Sequence, residues 1–152
     1  MAVEKLKRRE EVRKEDTWAI EDLYQDDKAW EEDYQRLSER IPKLLEFKGR
    51  LGDGAEVLLS MQKLWDELNM LAEKVYVYAG QKMHENTENG VYQNLSNRAQ
   101  SLLVKLSEAG AYIEPEILEL PDGMIEKFLE ENKELLVYRQ YFENMIRQKE
   151  HV

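Results

Sequence analysis

The sequence predicts an all-α fold, an up-and-down bundle of four to five helices built on a long antiparallel α-hairpin. Three observations carry that expectation. Apolar residues recur in alternating steps of three and four along most of the chain, the spacing of one helical face. Glycine and proline number only 7 and 3 in 152 residues, too few for the turns of an all-β fold. The two longest stripes follow one another with a short polar stretch between them, as the arms of a hairpin do.

The first helix is expected from about Lys28 to about Lys48, capped by Asp26 or Asp27. Its stripe is Trp30, Tyr34, Leu37, Ile41, Leu44 and Leu45, and Pro42 should kink or break it. Gly49, Gly52 and Gly54 punctuate a turn. Asp53 and Glu56 then have the spacing of a capping box for the second helix. There Val57, Met61, Leu64, Leu68, Leu71, Val75 and Tyr78 form a seam of coiled-coil type. Val75-Tyr76-Val77-Tyr78 has strand-like composition, but the unbroken register favours helix.

The second helix is expected to end between His84 and Glu88, and Asn89 to cap the third. The third stripe is Tyr92, Leu95, Ala99, Leu102, Leu106, Ala109 and Ile113, and the small residues Ala99, Ala109 and Gly110 admit a close neighbour. Glu114-Pro115 ends or bends that helix. After the break at Pro121-Asp122-Gly123, a short helix carries Met124, Ile125, Phe128 and Leu129. A last helix carries Leu135, Tyr138, Phe142, Met145 and Ile146.

Residues 1–26 are expected to form an amino-terminal arm with an aromatic anchor, and residues 27–152 one helical domain. The anchor is Trp18, Tyr24 and Trp30, aromatics too large and too closely spaced to be left without a pocket.

Charge excludes some functions. With 32 acidic and 22 basic residues the chain carries a net charge of −10, a poor match for a phosphate backbone. The basic cluster Lys5, Lys7, Arg8, Arg9, Arg13 and Lys14 is interrupted by Glu4, Glu10 and Glu11, as on a solvated arm. No cysteine is present, which removes disulfides and thiol chemistry. No signal peptide or membrane-length apolar run is seen, so the expected location is cytoplasmic and no membrane partner is expected.

The chemistry available is sparse. His84-Glu85-Asn86-Thr87-Glu88 has the first half of a zinc helix motif but ends in Glu88, and the other histidine, His151, is far away in sequence. Catalytic zinc takes three protein ligands, with histidine prominent. No metal, catalytic or cofactor-binding residues are therefore assigned. Carboxylate pairs such as Glu31/Asp33 and Glu130/Glu131 are expected on solvated faces or as partners of nearby Lys and Arg. Tyr76, Tyr78, Tyr92, Tyr138 and Tyr141 are expected at core rims. Met61, Met70, Met83, Met124 and Met145 are expected as core filler.

Asp16-Thr17-Trp18-Ala19-Ile20-Glu21-Asp22-Leu23-Tyr24, followed by Trp30-Glu31, resembles the amino-terminal entry of oligoendopeptidase F. The similarity continues through Ile41-Pro42, Phe47-Lys48-Gly49-Arg50-Leu51, Val75-Tyr76-Val77-Tyr78-Ala79, Glu88 to Tyr92 and Tyr112-Ile113-Glu114-Pro115-Glu116-Ile117-Leu118. It ends at Arg147-Gln148-Lys149-Glu150-His151. Ala19 departs from the pattern, where an acidic residue is common.

The resemblance implies a zinc metallopeptidase parent with H-E-x-x-H on a downstream helix, cleaving short peptides inside a deep channel. This chain would be its amino-terminal lid or wall, lacking the zinc motif and inactive alone, with the missing catalytic domain as partner. The chain stops while Arg139 to Lys149 is still helical in pattern, as a cut domain would. A cut domain exposes apolar surface, and Tyr138, Phe142 and Met145 are the expected interface with the missing domain or with a second copy. The alternative is a stand-alone helical interaction or oligomerisation module pairing through the hairpin seam.

Overall fold

The computed structural model describes residues 23–86 and 88–150. Among them are only helices, turns and loops. Helix α1 (Asp27–Leu44) starts where the Asp26 carboxylate accepts from the Ala29 N–H at 2.8 Å. Pro42 falls in its last turn, and the chain tightens into a 3-10 turn at Leu45–Phe47 rather than running on to Lys48. Leu45 thereby leaves the stripe and is exposed, whereas Trp30, Leu37, Ile41 and Leu44 are buried.

Helix α2 (Ala55–Glu85) is the spine of the molecule. Its expected capping box is not formed. Gly54 occupies the cap position, while Asp53 pairs with Arg50 at 3.5 Å and Glu56 accepts from the Asn132 side chain at 2.8 Å. The buried line also differs from the expected seam. Val57, Leu64 and Leu71 are half-buried, and burial is deepest along Leu58, Met61, Leu68, Ala72, Val75 and Ala79. Helices pack on α2 from two sides, so its apolar arc is wider than a two-helix seam.

Helix α3 (Gly90–Gly110) begins at Asn89, whose side chain accepts from the Val91 N–H. It stops at Gly110, earlier than the expected end at Glu114-Pro115. Ile113 instead opens a separate short helix, α4 (Ile113–Leu118), and is buried there. Pro115 is the third residue of α4, where a missing N–H costs no intrahelical bond.

Helix α5 (Met124–Glu131) follows the left-handed Gly123, at φ +84°. The last expected helix is divided into a 3-10 segment at Lys133–Tyr138 and helix α6 (Arg139–Glu150).

Interhelix bonds set the directions. Tyr78 donates to Asp27, Trp30 to the Val75 carbonyl, and Arg40 to Glu67. Positions on α1 therefore rise as those on α2 fall, and the two helices are antiparallel. Arg98 meets Glu31 and Tyr112 reaches the Leu44 carbonyl, so α1 and the α3 segment run in the same sense. The result is an up-down-up trio on the α2–α3 hairpin. Helices α4 to α6 are fastened to the amino-terminal half of α2 through Lys63–Glu134, Asn132–Glu56 and Tyr138–Asp66.

Two apolar clusters run along α2. The larger joins Leu37, Leu44, Leu58, Leu68, Leu106, Ile117, Phe128 and Phe142. The smaller joins Leu23, Tyr24, Trp30, Val75, Tyr78, Ala79, Leu95 and Ala99. Among the described residues no helix is long and apolar enough to cross a membrane.

Candidate functional site

Two of the three anchor aromatics, Tyr24 and Trp30, come together in the smaller cluster. Trp18 lies outside the described residues. So do the basic cluster between Lys5 and Lys14 and His151. Trp30 is fully buried and its indole N–H donates to the Val75 carbonyl at 2.9 Å. Tyr24 packs edge-on against Tyr78, with ring centroids 5.2 Å apart. Its hydroxyl is buried without a well-formed hydrogen bond. Burial first, and then the neighbouring Asp33 carboxylate, hold it strongly in the neutral phenol form.

Arg98 belongs to the same place, although no sequence signal singled it out. Its guanidinium lies 4.2 Å from the Tyr34 ring centroid and 5.3 Å from that of Trp30, and it pairs with Glu31 at 2.6 Å. The hydrogen bond from Arg98 holds the Glu31 carboxyl below its ordinary range. Stacking over aromatic faces while donating to a carboxylate is a role that suits arginine better than lysine. Glu31 and Arg98 lie 67 positions apart in sequence, so local pattern says nothing about their meeting.

The expected interface residues are placed differently. Phe142 is fully buried and Met145 is 5% exposed, both in the larger cluster. Tyr138 is half-buried, with its hydroxyl on Asp66 at 2.7 Å. The expectation that these three form an open apolar patch is corrected, because they complete this chain's own core. The apolar residues that do stand out on that segment are Leu136, Val137 and Tyr141. The signal for Leu136 and Val137 was the run Leu135-Leu136-Val137-Tyr138, too continuous for a single buried face. Met70, expected as core filler, is 71% exposed on the outer side of α2. Tyr76, expected at a core rim, is exposed too.

His84 and Glu88 do not make a ligand pair on one helical face. Helix α2 ends at Glu85, and Glu88 lies in the following turn. Among the described residues no three His, Cys, Asp or Glu side chains are grouped to hold a metal ion. This donor set does not fit a catalytic zinc.

A cavity of about 470 Å³ opens between α4, α5 and α6, lined by Ile117, Leu120, Ile125 and Ile146, with Lys149 at its edge. The Lys149 ammonium donates to the Leu118 carbonyl at the end of α4. Cation and carbonyl thus close a helix end. What the described residues supply is shape and fastening: stapled long helices, with short helices locked onto one end.

A family described as Oligopeptidase F matches residues 116–152. The chain is 35% identical over 144 residues to "Oligopeptidase PepF" of Bacillus subtilis (strain 168), covering 95% of this chain and 22% of that protein. It is 33% identical over 147 residues to "Oligoendopeptidase F homolog" of Lactococcus lactis subsp. lactis (strain IL1403), covering 96% and 24%. The crystal structure of oligoendopeptidase-F from Enterococcus faecium superposes with a TM-score of 0.75 at 37% identity, over 84% of this chain and 25% of that one. All three of these proteins carry oligopeptidase or oligoendopeptidase names. Along nearly its whole length the chain is similar to an amino-terminal segment of oligoendopeptidase F proteins. It spans about a quarter of the length of the curated relatives it matches.

Proposed function

We propose that this chain forms the amino-terminal helical wall, or lid, of an oligoendopeptidase F-like zinc metallopeptidase that hydrolyses short peptides. It has no catalysis of its own. The observation that carries this reading is the pairing of a match along nearly the whole chain with coverage of only a quarter of each relative. A stiff wall also needs long elements pinned at both ends. The Trp30–Val75 and Tyr78–Asp27 bonds pin one end of α2, and Tyr138–Asp66 and Lys63–Glu134 pin the other half. Zinc, the peptide-cleaving groups and the peptide subsites belong to the remainder of the polypeptide in this reading, and the location is cytoplasmic.

The test is a pair of assays on a short fluorogenic peptide and on unfolded casein. One uses the 152-residue chain and the other the product of the reading frame continued past Val152. The expected result is no cleavage by the chain alone. The longer product should cleave the short peptide, lose that activity to a chelator, and spare casein. Cleavage by the chain alone would overturn the reading. A stop codon after Val152 in an intact gene would also overturn it, and would favour a stand-alone helical interaction module.

A further inference from the structure

Val137 is 79% exposed and Leu136 beside it 44%. The 3-10 segment explains why. With three residues per turn, Leu135 and Tyr138 share the inner side, one fully buried and the other bonded to Asp66. Leu136 and Val137 are left facing outward. With Gln140, Asn144 and Arg147 of α6 they line a shallow groove of about 440 Å³. Adjacent apolar side chains on a groove differ from singly scattered ones, which need no explanation. Of the other large exposed apolar residues among those described, Tyr141 lies on α6, and Leu45, Met70, Tyr76, Val91 and Val104 are spread over the turn after α1, α2 and α3. Met70 is hemmed in by Arg36, Arg40, Glu67 and Lys74.

We propose that the Leu136–Val137 ridge and the Arg147 side of its groove form the docking surface for the polypeptide that follows Val152 in the longer family members. The occupant is an apolar side chain of that polypeptide, with a carboxylate nearby for Arg147. This rests on the reading of the chain as one wall of a longer peptidase. Two observations choose the occupant. Three quarters of each relative's length lies outside the matched part. The ridge lies on the last two elements, inside the segment 116–152 that the family match covers.

The chain contains no cysteine, so Val137→Cys and Met70→Cys each introduce a single thiol into it. Alkylation of each thiol is followed by peptide mass spectrometry in the 152-residue chain and in the longer product. In the short chain both should react at similar rates. In the longer product Val137→Cys should slow about tenfold or more, as for a site reached only through local opening, and Met70→Cys should not change.

Equal Val137→Cys rates in both proteins would overturn the docking surface. If the longer product still cleaves short peptides, the functional reading survives that failure. Protection in the longer product without peptide cleavage supports the docking surface and removes the peptidase reading. Protection in the short chain that grows with its concentration assigns the ridge to a second copy and overturns the proposal. A frame that stops at Val152 overturns both.

Discussion

Trp65 lies over Gly110 so closely that a methyl group built on that glycine would come 2.2 Å from the indole ring. The contact sets the approach of α3 to α2 at the end of the hairpin nearest α4. Gly110→Ala therefore forces the ring or the helix to move, and overpacking of this kind costs about 1–3 kcal/mol. Urea melts of Gly110→Ala, Trp65→Phe and the double variant should show strong coupling. Additive losses would mean that the ring yields freely.

Glu116 joins two distant segments of chain. Its two carboxylate oxygens accept the N–H groups of Gly49 and Leu51, the latter at 2.9 Å, fixing the turn between α1 and α2 to α4. Bonds to a charged acceptor contribute more than neutral ones, so Glu116→Ala should destabilise by about 1–3 kcal/mol. Glu116→Gln, which keeps one good acceptor, should lose less. Faster amide exchange at Leu51 in the alanine variant would locate the effect, and unchanged exchange there would count against it.

Burial separates residues that look alike in sequence. Leu68 is fully buried in the larger cluster, and Leu68→Ala should cost about 2–5 kcal/mol. Phe142→Ala, at the site corrected from interface to core, should cost about 3–5 kcal/mol. Met70→Ala should stay within about 0.5 kcal/mol. Denaturant midpoints rank the three, and a large Met70 effect would show that its outer face of α2 is covered in solution.

Tyr112 and Tyr138 bring a dependence on alkaline pH. Burial is the main cause that pushes both hydroxyls up to about 12, with Glu116 adding for Tyr112 and Asp66 for Tyr138. Their ordinary value is 10.0. A folded value above the unfolded one means that the stabilisation is complete below pH 10 and is lost as pH rises towards about 12. The double variant Tyr112→Phe/Tyr138→Phe should lose less stability than the parent across that interval. Equal slopes in pH-dependent urea melts would refute this.

The helical class, the hairpin and the core face of α3 were legible before any packing was known, because periodic burial is a local property repeated every turn. Leu95, Ala99, Leu102, Leu106 and Ala109 were legible for that reason, as was the Asn89 cap. The small Gly110 was legible as a point of close approach, but not its partner Trp65.

The tertiary structure alone decided the rest. Two flanks of packing shifted the buried line of α2, and competing partners for Asp53 and Glu56 displaced the expected cap. A switch to 3-10 geometry turned Leu136 and Val137 outward while Phe142 and Met145 went inward. Arg98 met Glu31, and Glu116 met Leu51, across separations of 67 and 65 residues. Such meetings follow from how whole helices pack. A side chain's final exposure is set by neighbours that its own stretch of sequence does not contain.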